Sequence, residues 1–432
     1  MANDPHIIEK NLCGIFSPDW LRQTAHETGL VKRERKIDPL IMFWVLTLGF
    51  GVQLQRTLAS LKRSYEKAAT KKISDGGWYE RFTPELVAFL RACVMHGIEQ
   101  LAQEQNKHLS EKLSQFEDVL IQDSSIVRLH SSLSEKWPAT RTRTIAVGVK
   151  VGLLVSAVAN GPKNVALYAE STNELKTLHM GPWIKNRIFL IDLGYYKHQL
   201  FARIQDNGGY FVSRLKKNAD PLVVNVNSVH RGRSIDVKGK WISEVLPHLK
   251  RQVLDVDVEV SFKRRTYNGK QKNDTENFRL IAIMNKETEE YHTYITNIPQ
   301  DVLDAEDIAK LYGARWDIEL VFKELKSRYA MDVVNTTNPN IVEAYIWIAL
   351  LTLLVSRRIY TIVRSHNEKE MMIRYTQLRW STIFSENANG QLRSILKYCG
   401  IEMSLEMFME VYSSQALDPH VNRQRFRDQW WA

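Results

Sequence analysis

The chain has 432 residues, 44% of them hydrophobic, enough for a large core and for two to four domains or one elaborated domain. Its 59 lysines and arginines exceed 49 acids for a net charge of +10, a balance that suits a polyanionic partner. Three scattered cysteines, Cys13, Cys93 and Cys399, argue against a disulfide framework or a paired-cysteine zinc site.

The amino-terminal MANDPHIIEKN shows no basic-then-apolar leader pattern, and a reducing cytoplasm is the expected location. Residues 1–116 read as helical. IDPLIMFWVLTLGFG starts a helix near Pro39 and ends on Gly49 and Gly51. The following QLQRTLASLKRSYEKAATKK is amphipathic and basic, and a third helix restarts with Thr83 as N-cap and Pro84 in the first turn. Short helices with basic faces suit a DNA-binding domain and, equally, an ordinary small helical domain.

The texture changes at Glu117. DVLIQDSS, AVGVKVGLLVSAV and NVALYAES are strand candidates; RIFLIDLGYY is a buried strand, KHQLFARIQDNG a helix and GYFVSRLK another strand. Strands first, then strands alternating with helices, predict a mixed α/β sheet over 117–217. Residues 218–300 form a β-rich insertion. It carries a Tyr-Asn-Gly hairpin signal and the cations Arg231, Arg233, Lys263, Arg264, Arg265, Lys270 and Lys272. Residues 301–365 return to helix, with one helix expected over about Leu303–Ala330 and a long apolar helix after it. A helical region over 366–432 ends in HVNRQRFRDQWWA, whose arginines and aromatics suit contact with DNA or with a second subunit. The apolar runs Leu40–Phe50 and Ala344–Val355 fall short of the roughly 20 residues that span a bilayer; both read as buried helices, and no membrane partner is expected.

Two predicted strands end in aspartate, Asp123 after VLIQ and Asp192 after IFLI, where open α/β sheets gather their ligands. Such an aspartate also commonly starts a turn or caps a helix. In LYGARWDIELVFKELK, a helix at about 100° per residue brings Arg315, Glu319, Lys323 and Lys326 within roughly 80° beside an apolar stripe. Alone, that is a solvated face with i,i+4 ion pairs. Taken with Asp123 and Asp192, Glu319 completes three acids on separate elements. Carboxylates gathered in this way call for a hard divalent cation, Mg²⁺ or Mn²⁺. Two ions about 3.5–4 Å apart can drive a phosphodiester displacement, with the neighbouring cations holding phosphate. His130, His179, His198 and His292 form no metal-binding pattern, and no glycine-rich phosphate loop implies a nucleotide cofactor.

Tyr312, Arg315, Glu319 and Lys326 stand at the spacing Y-(2)-R-(3)-E-(6)-K. With QDSSIVRL around Asp123 and FLIDLGYY around Asp192, the chain resembles the DDE transposases of the insertion-sequence-four family, to which the transposon-five transposase is related. The likeness covers residues 115–330. It implies a ribonuclease-H-like catalytic fold and cut-and-paste movement of a DNA element from its terminal inverted repeats into target DNA. Asp123, Asp192 and Glu319 would be the catalytic, metal-binding acids for two Mg²⁺ or Mn²⁺ ions, and Tyr312, Arg315 and Lys326 would contact DNA, with Lys323 added from helix geometry. A homodimer in the synaptic complex and work at the prokaryotic nucleoid follow from the same likeness. Relatives that cut through a hairpin stack a flipped base on a tryptophan of the insertion. Here EYHTYITN offers Tyr291, His292 and Tyr294 instead, and Trp241 lies far from that strand. The competing readings are another ribonuclease-H-like nuclease and a domesticated, non-catalytic DNA-binding protein; three intact acids favour an enzyme.

Overall fold

Capping chemistry starts most of the helices. In chain order the first six are α1 (Ile7–Ile15), α2 (Pro18–Glu27), α3 (Pro39–Trp44), α4 (Leu58–Ala69), α5 (Asp75–Tyr79) and α6 (Pro84–Gln103). Ser17, Asp38 and Thr57 each accept a backbone N–H from the first turn that follows them. Strands β1 (Asp118–Arg128), β2 (Gly148–Ser156) and β3 (Gly161–Ala169) come next, then α7 (Glu174–Thr177), β4 (Arg187–Ile191), α8 (His198–Asp206) and β5 (Tyr210–Arg214). The insertion supplies β6 (Leu222–Val226), α9 (Ile242–Val245), β7 (Val253–Lys263), β8 (Asn273–Met284) and β9 (Tyr291–Thr296). Helices α10 (Ala305–Gly313), α11 (Trp316–Ser327), α12 (Pro339–Asn367) and α13 (Gln377–Tyr398) follow. The computed structural model describes residues 4–32, 37–50, 57–103, 109–140, 147–159, 161–178, 180–227, 235–264, 272–367, 376–402 and 409. The Tyr267-Asn268-Gly269 signal, Arg231, Arg233, Arg265, Lys270, His179 and the tail 420–432 lie outside these residues.

The chain divides into two units, residues 98–323 and residues 1–97 with 324–432. The first is built on a nine-stranded mixed sheet in the order β3-β2-β1-β4-β5-β9-β8-β7-β6, the ribonuclease-H-like arrangement with its flanking helices. Strands β1, β2 and β3 pair antiparallel, whereas β1–β4 and β4–β5 are parallel. The insertion is continuous with this sheet, because β9 pairs antiparallel to β5 with Val212 opposite Thr296 and Arg214 opposite Tyr294. Packing agrees: Phe201 and Phe211 stack at 4.3 Å, and Phe278 of the insertion meets Phe211 edge-on at 5.2 Å. Each such buried aromatic is worth roughly 1.5–3 kcal/mol of transfer free energy. Below them, Arg279 on β8 makes a buried two-bond pair with Asp255 on β7 and donates to the carbonyls of Ile298 and Leu303. One guanidinium thus ties two insertion strands to the segment that leads into α10.

The described residues of 1–97 and 324–432 make up a helical unit built on α12. Among the described residues α12 is the one helix long and apolar enough to cross a bilayer, and 78% of its apolar window is buried inside the protein, as the sequence reading of a buried helix expects. Glu324 and Arg357 form a buried ion pair, and the Tyr329 hydroxyl bridges Glu324 to Ser356 at 2.9 Å on each side.

Two expectations change. Strand β1 does not end at Asp123; it continues to Arg128 along β2, and only its pairing with β4 stops, at Gln122. The single helix expected over about Leu303–Ala330 is two, broken at Ala314–Arg315. There the N–H groups of Arg315 and Asp317 reach the carbonyls of Tyr312 and Ala314 three residues back, so the chain tightens out of α-geometry. Gly313, a poor helix former, ends α10 at this point.

Candidate active site

The parallel register of β1 and β4 fixes the first two acids. Pairing runs from Asp118 opposite Arg187 to Gln122 opposite Ile191, so the next residues, Asp123 and Asp192, are lateral neighbours on one face. Adjacent strands lie about 4.8 Å apart. Beyond this point β4 turns into a short 3₁₀ segment, Leu193–Tyr195, while β1 runs on, which leaves both acids at the carboxyl end of β4. Asp192 caps the turn by accepting the Gly194 N–H at 3.1 Å, and Asp123 accepts the Ser124 N–H at 2.7 Å. Burial, with smaller repulsion from Asp192 and Glu174, pushes the Asp123 carboxyl up to about 6 against the pull of the Ser124 N–H and Arg315.

The broken helix brings the signature residues to these acids. Tyr312, buried at the end of α10, has its hydroxyl 3.5 Å from the Ile191 carbonyl, at the end of β4 beside Asp192. Arg315, in the junction, spans two carboxylates: Nη1 lies 3.5 Å from Asp192 Oδ1 and Nη2 donates to Glu319 Oε1 at 2.6 Å. Its guanidinium also sits 5.9 Å from the Tyr312 ring centre. Burial works against the Arg315 charge, and the Glu319 hydrogen bond with the Asp192 attraction outweighs it. Lys323 is exposed one turn beyond Glu319, and Lys326 follows on the same helix.

The family model described as "Transposase DDE domain" matches residues 114–355, more than half of the chain. The chain belongs to this family. It is 23% identical over 391 residues to the transposase for insertion sequence element IS231F of Bacillus thuringiensis subsp. israelensis, covering 79% of this chain and 77% of that protein. The transposase for insertion sequence element IS1151 of Clostridium perfringens is 23% identical over 407 residues, covering 84% and 83%. The protein is thus a DDE transposase, and divalent-metal use goes with that domain.

The residues present fit such a metal by chemistry. The donors are carboxylate oxygens, as a hard cation prefers, and the Asp123–Asp192 repulsion is one that a cation would relieve. Among the described residues, however, no three acidic, histidine or cysteine side chains already stand as an ion cage. Glu319 is engaged by Arg315 through Oε1, which leaves its Oε2 as the oxygen that could join the aspartates at an ion.

Sequence reasoning missed one acid beside Asp192 in this transposase. Glu174, the first residue of α7, sends its carboxylate over Gly194: a Cβ there would collide with Glu174 Oε2 and lie 3.7 Å from Asp192 Oδ2. Its segment is held by Asn173 capping Leu175 N–H and by the buried Lys150 donating to the Thr172 carbonyl at 2.6 Å. An acid at a helix start normally reads as a dipole partner, which hides this role; the glycine two residues after Asp192 was the available signal. The two tyrosines expected to stack a base have definite surroundings. Tyr291 donates its hydroxyl toward the carbonyls of Leu249 and Arg251, and Tyr294 packs against Tyr312 with ring centres 5.5 Å apart. Trp316, between Arg315 and Glu319 in sequence, is 57% exposed.

Proposed function

We propose that this transposase binds the terminal inverted repeats of an insertion sequence, cleaves DNA at their edge and joins the freed ends to target DNA, with two ends paired by a homodimer. Asp123, Asp192 and Glu319 would hold Mg²⁺ or Mn²⁺, two ions in all. When bound, such ions activate an attacking hydroxyl and stabilise the leaving oxygen of a phosphodiester. Tyr312, Arg315, Lys323 and Lys326 grip the phosphates beside the cut, and affinity falls steeply with salt. The observation that carries this reading is the β1–β4 register that sets Asp123 beside Asp192, with Arg315 linking Asp192 to Glu319.

A hairpin route is part of the proposal. Tyr294 and the exposed Trp316 are the aromatic faces near the signature residues, and Tyr291 is the weaker choice because its hydroxyl is tied to the 249–251 turn. Cleavage without any hairpin-ended donor DNA rules this route out.

The deciding experiment incubates labelled duplex bearing the element's own terminal repeat with Mg²⁺, Mn²⁺ or EDTA, using wild type and Asp192→Asn. Metal-dependent nicking at the repeat edge that the variant loses while still binding the repeat is the expected result. Salt-sensitive binding with no cutting by either protein would instead favour a domesticated DNA-binding protein.

A further inference from the structure

Cys13 and Cys399 are 386 residues apart in sequence, yet their Sγ atoms lie 3.4 Å from one another. Cys13 belongs to α1, and Cys399 is the residue that closes α13. Other contacts hold the same two elements together without the sulfurs: Ser394 donates to the Glu9 carboxylate, and the rings of His6 and Tyr398 meet at 5.8 Å. Both thiols are half-buried and reachable by a small solute, whereas Cys93 is completely enclosed.

We propose that Cys399 and Cys13 form a peroxide-responsive thiol pair, in which Cys399 is oxidised first and Cys13 closes the disulfide. The surroundings set that order. The two sulfurs share one contact in which either can donate, so the neighbouring charges decide: Arg22 favours negative charge on Cys399. Glu9, one turn before Cys13 on α1, disfavours negative charge there. Cys399 is therefore the sulfur better suited to act as nucleophile, and Cys13, 3.4 Å away, is placed to resolve its oxidation.

In the first step Cys399 sulfur attacks one peroxide oxygen and the O–O bond breaks. The departing hydroxide takes up the proton that Cys399 had released, leaving a sulfenic acid and water. Cys13 sulfur then attacks Cys399 sulfur, the S–S bond forms, and the sulfenic hydroxyl leaves as water with the Cys13 proton. Two thiols lose two electrons in all, and one peroxide becomes two waters. The sulfurs must close from 3.4 Å to about 2.05 Å, a movement within reach of a side-chain rotation. The product fastens α1 to the end of α13 and encloses almost the whole chain in one covalent loop.

The test treats full-length, reduced protein with a small excess of hydrogen peroxide. Thiols are titrated in denaturant, and a non-reducing digest is mapped by mass spectrometry. The thiol count is expected to fall from three to one, with Cys13 and Cys399 in one linked peptide and Cys93 still reduced. In Cys13→Ser, dimedone should label Cys399; in Cys399→Ser it should leave Cys13 unlabelled. Three surviving thiols, a disulfide through Cys93 or between two chains, or dimedone on Cys13 would overturn the proposal. The wild-type count and map decide it even if either variant folds poorly.

Discussion

Replacing Asp123 by asparagine keeps the shape of the side chain and removes a charge that the fold resists. Its carboxyl stands at about 6 rather than its ordinary 3.8, chiefly through burial and secondarily through Asp192 and Glu174. At about 1.36 kcal/mol per tenfold change in proton affinity, that displacement amounts to about 3 kcal/mol, and partial solvent access cuts it to about 1–2 kcal/mol. The sign follows from linkage: an acid whose carboxyl is raised on folding destabilises the native state above about 6, and the penalty vanishes below about 3.8. Asp123→Asn in EDTA should therefore stabilise residues 98–323 by about 1–2 kcal/mol at pH 7.5, raising their melting temperature by about 2–6 °C. At pH 4 the gain should nearly disappear. Calorimetric melting of both proteins at the two pH values measures it. An equal gain at both, or a loss at pH 7.5, would refute the account of strain at Asp123.

Two further perturbations probe the acids and their support. Gly194→Ala places a Cβ against the Glu174 carboxylate, which can swing aside, so folding should change by less than about 1 kcal/mol. Mn²⁺ affinity, followed by calorimetric titration, should fall about twofold in Gly194→Ala and Glu174→Gln alike, the scale of one screened charge. A fall in the glutamine variant alone would break the link between the two residues. Arg279→Ala strands the buried Asp255 carboxylate and should destabilise by about 3–5 kcal/mol in denaturant titration; a loss under about 1 kcal/mol would contradict the buried-pair reading.

Apolar runs rich in β-branched residues marked β1, β2, β4 and β5 in the sequence, and the acids beside them were legible for the same reason. That β1 continues beyond Asp123 was not: Ser124 and Ser125 resemble a turn, and only the long β2 partner holds them extended. The break at Ala314–Arg315 was invisible because the apolar spacing from Leu311 to Leu325 runs straight through it. Gly313 weakens the helix there, and tertiary contacts complete the break, since Tyr312 and Arg315 are drawn to the end of β4 and to Asp192. Glu174 and the Cys13–Cys399 encounter depend on long-range contacts, for which local periodicity carries no signal.

The β5–β9 pairing bears on how a minimal catalytic fragment should be cut from this protein. Excising residues 218–300 as a removable module would turn β5, an interior strand beside β4, into a naked border with unmatched amides and carbonyls. Such a border recruits other chains. A trimmed enzyme therefore has to keep β9, or replace it with an equivalent strand, to remain monodisperse.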